Sequence, residues 1–288
     1  MSRYNFNLRQ KALIDKIRSP AVYRLNMAMN LALLSDDPTV IRRFFQVEAP
    51  RYFTDQWLAM EMSDMFMGYY QRGQAFAYFG IIPMIVNAKV NLVASNGFRC
   101  ESDDEEIDDI LNRIKDDAEL EKKFCEGVYW ESGIGDVAFR ISYCPELDDK
   151  PIIDIIEPQH LDVNYKRGKV LSYVVKEVCS EHPEYELHEI YSKDKAGYAQ
   201  IDYRFMYNNN PVKPTDEGLL KECRENFPGV NTAHISLPFK FIPIIFKKND
   251  NCNQLYKGER GVPDIQGLAK IEDALSESIS DLIDAIRK

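Results

Sequence analysis

The pattern of apolar and polar positions changes its period near Gly133. Before this residue, apolar side chains recur three and four positions apart, which is typical of amphipathic helices. One such helix is predicted to begin near Pro83, and a second to begin within the acidic run from Glu101 to Asp109. A third is predicted to extend from Asp117 to Ser132. The second of these helices carries its apolar residues at Ile107, Ile110, Leu111 and Ile114. The chain up to Gly133 is therefore predicted to be helical.

After Gly133, apolar side chains occupy alternate positions, which is the period of a half-buried strand. One pair of strands is joined by a tight turn at Arg167-Gly168, a typical hairpin signal. The stretch from Asn208 to about His234 contains several prolines and is predicted to be a polar loop. The predicted strands are 137–141, 151–156, 161–165, 170–178, 185–191, 198–207 and 239–246.

A last helix is predicted to open at Pro263-Asp264, with Asp264 as its N-cap. Its apolar stripe consists of Leu268, Ile271, Leu275, Ile279, Leu282 and Ile286. Its acidic residues outside that stripe are Glu272, Asp273, Glu277, Asp281 and Asp284. Because the stripe still runs where the sequence stops, we expect either that the sequence ends inside a longer helix or that another subunit completes the burial.

These patterns predict an α+β protein with N-terminal helices, a mixed or antiparallel β-sheet domain with packed helices, and a long C-terminal helix. Residues 1–65 are predicted to be a separate helical segment that Pro20, Pro38 and Pro50 break into short pieces. Residues 66–255 are expected to form the α+β domain. Residues 256–288 are expected to be a linker and the beginning of the last helix.

Composition narrows the possible functions. The chain has 36 basic and 46 acidic residues and a net charge of −10, so strong binding of DNA over its whole surface is not expected. A channel through which DNA slides without sticking is compatible with this charge. No apolar run is long enough for a membrane helix, and no signal peptide is visible, so we expect an intracellular protein. The six scattered cysteines are expected to be free thiols.

Motifs of catalysis are weak. The sequence has no phosphate-binding GxxxxGK[ST] loop, no HExxH and no GxSxG. Asp136, Asp154 and Glu157 offer an alternative, a metal-dependent nucleotidyltransferase-like enzyme, although Asp154 and Glu157 would point to opposite faces of one strand. An α+β interaction or scaffold protein is a further alternative. We predict no catalytic residue, cofactor or metal site.

Five segments in a fixed order resemble the portal, or head-to-tail connector, proteins of tailed double-stranded DNA phages. Each segment is degenerate, and the ordered set carries the resemblance, which covers roughly residues 80–288. The first 65 residues match no part of that family that we can place. The five segments are the helix 84–98, the helix-to-strand step 133–141, the hairpin segment 155–168, the strand 241–249 and the stretch 256–278.

The resemblance implies a structural subunit of a ring, usually of twelve copies, at the capsid vertex through which DNA is packaged and ejected. Residues 80–255 would form the wing and residues 263–288 the beginning of the first stem helix. The second stem helix and the clip would normally follow, so we expect a truncated chain. The apolar stripe of the last helix would contact neighbouring subunits, and some of its five acidic residues, Glu272, Asp273, Glu277, Asp281 and Asp284, would face the channel.

The resemblance also implies partners and a location. Terminase, scaffold or capsid proteins and head-completion proteins would bind the ring, and double-stranded DNA would pass through it without sequence-specific contacts. The protein would lie in the virion, at the capsid vertex, after passing through the host cytoplasm during assembly. No membrane would be involved, and no enzymatic activity is implied.

Overall fold

The structure, a computed structural model, describes residues 20–45, 78–95, 97, 99, 101–143, 150–230, 233–249 and 259–287. The predicted helical pieces at residues 1–19 and 46–65 lie outside these ranges. The described residues confirm the α+β class, with helices, antiparallel strand pairs and a long C-terminal helix.

The elements of the described residues follow in chain order. The helices are α1 (Pro20–Leu34), α2 (Pro38–Arg43), α3 (Ile81–Ala94), α4 (Glu105–Asp117), α5 (Leu120–Ile134), α6 (Glu217–Asn226) and α7 (Ala269–Arg287). The strands are β1 (Asp136–Ser142), β2 (Ile152–Ile156), β3 (Leu161–Lys166), β4 (Lys169–Val178), β5 (Tyr185–Lys193), β6 (Ala199–Tyr207), β7 (Asn210–Pro211), β8 (His234–Ser236) and β9 (Ile244–Lys248).

The chain divides into two compact units that are discontinuous in sequence. Unit 1 contains the described residues of Met1–Phe98, Phe124–Asp136 and Lys248–Lys288, and unit 2 contains those of Arg99–Lys123 and Val137–Lys247. The predicted domains 1–65, 66–255 and 256–288 were contiguous, so their boundaries differ from those of the units. The C-terminal helix and α3 share unit 1, whereas the sheets and α4 belong to unit 2.

Unit 1 is built on a helical core. Leu33, Ile41, Phe45, Ile82 and Val86 are almost completely buried in it, and Ile265 and Ala269 join them from the C-terminal segment. The side chain of Asp37 accepts a hydrogen bond from the backbone N–H of Thr39 at 2.7 Å. Asp37 is therefore the N-cap of α2.

Unit 2 is built on antiparallel strands. In the larger sheet the order is β3-β4-β5-β6-β7, with β8 also paired to β6, and in the smaller sheet β1 lies between β2 and β9. The register of β3 and β4 places Lys166 opposite Lys169, so Arg167 and Gly168 form the two-residue turn that the sequence predicts. Leu161, Tyr173, Val175, Tyr191 and Ile201 fill the core below this sheet.

Three boundaries differ from the prediction. The expected polar loop contains α6, because Leu219, Cys223 and Phe227 recur every four residues and pack into a small core. The last strand begins only at Ile244, immediately after Pro243. The C-terminal helix begins at Ala269 rather than at Pro263-Asp264. Asp264 is therefore not its N-cap, and its side chain contacts other segments of unit 1.

Candidate functional site

Helix α7 presents three different faces. Ala269, Glu272, Ser276 and Ser280 recur every three or four residues and are buried. With about 100° of rotation per residue, the predicted apolar stripe is centred about 100° to one side of this buried face. Four of the predicted acidic residues lie about 90° to the other side. The face that packs inside unit 1 is therefore the polar one with small side chains, and the apolar stripe is not the main packing surface.

Glu272 is the anchor of the buried face. Its two carboxylate oxygens accept hydrogen bonds from the backbone N–H groups of Gly80 at 3.0 Å and Ile82 at 3.1 Å, at the beginning of α3. A carboxylate at this position satisfies backbone donors that have no partner within the helix and interacts favourably with its dipole. Burial raises the pKa of Glu272, and the backbone N–H groups of Ile82 and Gly80 oppose that rise.

The position of Glu272 corrects one expectation from the sequence. Its side chain is completely buried and serves α3, so it does not line a channel. The sequence places it in the acidic set because all five acidic residues lie outside the apolar stripe. One feature of the sequence distinguishes Glu272 from the other four acidic residues. It lies four and eight residues before Ser276 and Ser280, which share its buried face.

The two serines allow a close approach of α7. The hydroxyl oxygen of Ser276 accepts a hydrogen bond from the backbone N–H of Phe79 at 3.3 Å. The hydroxyl of Ser280 donates to the backbone carbonyl of Ser276 at 2.9 Å. Both side chains are fully buried, so they satisfy their polar groups without solvent.

The apolar stripe is increasingly exposed toward the end of α7. Leu268 is half-buried and packs against the core of unit 1. Leu275 and Ile279 are half-buried, and Ile271 is exposed. Leu282 and Ile286 retain 60% and 76% of their accessible surface. The stripe is therefore most exposed in the last two turns of α7.

The remaining acidic residues share the third face of α7. Asp273, Glu277 and Asp284 are half-buried and Asp281 is exposed. Spacings of four, four and three residues place them within a sector of about 80°. Like charges at these spacings repel one another by a few tenths of a kcal/mol per pair, so this arrangement does not favour the isolated helix.

A hydrogen-bond network around Asp264 fixes the chain just before α7. Its carboxylate accepts hydrogen bonds from the Lys89 ammonium at 2.6 Å, the Ser132 hydroxyl at 2.7 Å and the Asn249 amide at 2.8 Å. Burial alone would raise the pKa of Asp264, but these donors outweigh it and lower that pKa. Asp264 therefore joins three segments of unit 1 and does not cap α7. No local sequence pattern indicates these partners, because they lie in other segments of the chain.

The carboxylates of the nucleotidyltransferase alternative are engaged in contacts of the protein itself. Asp136 is completely buried and accepts hydrogen bonds from the Tyr23 hydroxyl at 2.7 Å, Arg260 at 3.1 Å and the backbone N–H of Gly261 at 2.6 Å. Burial raises the pKa of Asp136, and Arg260 opposes that rise. Asp154, in unit 2, forms an ion pair with Arg140 at 3.2 Å.

The described ranges lack two other kinds of site. No group of three or more histidine, cysteine, aspartate or glutamate side chains there has a geometry that could hold a metal ion. None of the helices in this part of the chain combines the length and the apolar composition that crossing a lipid bilayer requires.

The comparisons with known proteins give no relative that would assign the faces of α7. No protein-family model matches the sequence, and no curated protein matches it.

Proposed function

We propose that this chain is a structural subunit of a phage portal ring, through which DNA is packaged and ejected. The observation that carries the proposal is the apolar stripe of α7, whose exposed end at Leu282 and Ile286 lies beside a packed polar face. A helix that buries serines and a glutamate while exposing isoleucine and leucine has its apolar partner elsewhere. In a ring, the same helix of a neighbouring copy supplies that partner.

Side-by-side packing of α7 also gives its acidic face a role. When the apolar stripe contacts a neighbour and the serine face contacts unit 1, the face with Asp273, Glu277, Asp281 and Asp284 is left for the channel. Carboxylates repel the phosphates of double-stranded DNA, so DNA passes without sticking. In this role the protein acts in the virion, at the capsid vertex, and meets terminase and head-completion proteins there.

The oligomeric state tests the proposal. The full 288-residue chain is measured by mass photometry and negative-stain electron microscopy, and we expect rings of about a dozen subunits with a central channel. Leu282→Asp combined with Ile286→Asp places two charges on the uncovered stripe and should abolish the rings. Ala274→Asp is the matched control, because it adds a charge at an exposed position of the same helix outside the stripe. A wild-type protein that stays a monomer or dimer at every concentration contradicts the proposal and favours a scaffold protein.

The acidic face is tested separately in assembled rings. Asp281→Lys combined with Asp284→Lys should make the rings retain double-stranded DNA in a gel-shift assay, whereas wild-type rings should not. Glu217→Lys combined with Glu225→Lys makes the same change of charge at two exposed acids of α6, away from α7, and should retain DNA less strongly. Equal retention by both variants would contradict a channel-facing position of the acidic residues.

A further inference from the structure

Helix α4 in unit 2 has an apolar face that the described part of the molecule leaves uncovered. Ile107 and Ile110 are 49% and 46% exposed, and Leu111 and Ile114 are half-buried. None of these four residues belongs to the three hydrophobic cores, and α4 has no buried residue. A helix of 13 residues is only marginally stable in water without packing of its apolar face. The pattern therefore indicates a partner surface for α4.

The beginning of α4 is rich in carboxylates. Segment 101–109 contains seven acidic residues, of which Asp104 caps α4 and Asp108 accepts a hydrogen bond from the backbone N–H of Ser102. Four others make no side-chain hydrogen bond or ion pair with the residues that the structure describes, namely Asp103, Glu105, Glu106 and Asp109. On the helix, Glu106 lies next to Ile110 at the edge of the apolar face, whereas Glu105 and Asp109 lie on the opposite side. We call Asp103, Glu106 and the apolar residues Ile107, Ile110, Leu111 and Ile114 the α4 surface.

The β3–β4 hairpin of unit 2 combines the same two features with the opposite charge. At its tip, Lys166, Arg167 and Lys169 are exposed, and none of them forms an ion pair within the described ranges. The next two residues, Val170 and Leu171, are also exposed, and Leu171 retains 57% of its surface. We call these five residues the hairpin surface. On a protein with a net charge of −10, it is a local concentration of positive charge beside apolar side chains.

Arg167 occupies a backbone conformation that arginine rarely adopts. Its φ is +52° and that of Gly168 is +76°, as in a type I′ turn. The β6–β7 turn of the same sheet has Asn208 and Asn209 at φ values of +48° and +62°, and asparagine tolerates this region far better than arginine. A residue kept in a strained conformation is a reason to look for a function of its side chain.

We infer that the α4 surface of one copy of this chain docks on the hairpin surface of the next copy. Carboxylates meet ammonium and guanidinium groups, and the apolar residues of the helix cover Val170 and Leu171. The contact joins two different patches, so repetition gives a closed ring or an open chain, and the inference rests on the proposed ring. A second copy is favoured over nucleic acid, because DNA offers no matching apolar surface to the two hairpin residues.

Charge reversal on either side tests the contact. Glu106→Lys and Arg167→Glu should each weaken self-association of the full chain about tenfold or more, measured by sedimentation velocity over a concentration series. The double variant, with both substitutions in one chain, should restore association to near the wild-type strength. Association of the wild type should also weaken as sodium chloride rises from about 0.1 M to about 0.5 M.

Two matched controls isolate the contact from general effects of charge. Glu217→Lys reverses an exposed acid in the first turn of α6, as Glu106→Lys does in α4. Lys195→Glu reverses an exposed base in the β5–β6 turn. Both controls should associate like the wild type. Thermal unfolding should be similar for each test variant and its control, which excludes loss of the fold as the cause.

The outcomes separate this inference from the proposed function. Wild-type rings that persist unchanged in both single variants overturn the docking contact and leave the portal proposal standing. Open chains of subunits that break on charge reversal support the contact and contradict the ring. A wild-type monomer at every concentration overturns both. If Arg167→Glu lowers retention of double-stranded DNA while association is unchanged, the hairpin surface serves nucleic acid and the inference is wrong.

Discussion

Unit 1 and unit 2 hold their segments together by different means. In unit 2, strands β3 to β6 pair with their neighbours in sequence through long hydrogen-bond ladders. In unit 1, the carboxylates of Asp136, Asp264 and Glu272 accept hydrogen bonds from groups between 113 and 192 residues away, besides nearer ones. A ladder distributes its stabilisation over many bonds, whereas each buried carboxylate collects several bonds on one side chain.

This difference indicates which substitutions should reduce the stability of the protein most. Loss of one side chain on a ladder leaves the backbone hydrogen bonds in place. Loss of a buried carboxylate leaves two or three donors without an acceptor, and the cost of such donors exceeds the net value of the bonds themselves. We therefore expect single substitutions to affect unit 1 more strongly than unit 2.

Asp136→Ala should have the largest effect. It removes the buried acceptor that the mostly buried Arg260 guanidinium, the Tyr23 hydroxyl and the Gly261 N–H share inside unit 1. We expect the free energy of unfolding to fall by about 3–5 kcal/mol in urea denaturation. Asp154→Ala in unit 2 is the comparison, because Arg140 keeps its ion pair with Glu189. Equal losses in the two variants would break the contrast between the units.

Glu272→Ala should cost about 1–3 kcal/mol, because the N–H groups of Gly80 and Ile82 lose their acceptor in a buried position. Hydrogen exchange followed by mass spectrometry should show faster exchange at the beginning of α3. Asp284→Ala on the same helix is the control and should change neither quantity beyond a few tenths of a kcal/mol. Unchanged exchange at α3 would show that its N-terminus is held by other contacts.

Acid should weaken unit 1 through Asp264. Its pKa is lowered below the ordinary aspartate value of 3.8, so its ionised form contributes stability that is present above that pH. This contribution is lost as the pH falls through the lowered pKa. Unfolding experiments between about pH 5 and pH 2 should therefore show a shallower loss of stability for Asp264→Asn than for the wild type. Parallel curves would mean that the Lys89 pair does not persist in solution.

Arg167→Asn should have the smallest effect and the opposite sign. Asparagine fits a positive φ better than arginine, so the unfolding free energy should rise by about 0.5–1 kcal/mol. Lys195→Asn, in a turn residue without a positive φ, should give no such gain. Thermal unfolding measures both variants. A destabilised Arg167→Asn would mean that the arginine side chain stabilises the hairpin itself, and the argument from strain would fail.

The sequence predicted unit 2 better than unit 1, for a physical reason. Alternating residues and a turn such as Arg167-Gly168 specify contacts between neighbouring strands, and the register of β3 and β4 confirms them. Helix α6 was missed because its stripe of Leu219, Cys223 and Phe227 is sparse and lies among polar residues.

The candidate site shows the same limit. The sequence identified the stripe of α7, and the structure shows its end uncovered at Leu282 and Ile286. Glu272 differs from the other acidic residues because its carboxylate binds the beginning of α3, which lies about 190 residues earlier in the chain. No local pattern reports such a partner, so a buried acid and an exposed one look alike in the sequence.

The anchoring of α7 by Glu272 has a geometric consequence for any assembly. An aliphatic helix face can slide or roll against its neighbour with little change in energy. The hydrogen bonds from two N–H groups to the two Glu272 oxygens instead fix the rotation of α7 about its own axis. Every copy then presents its leucines and isoleucines at the same angle. Rotational symmetry demands that identical orientation, and a single buried carboxyl group supplies it before any two copies meet.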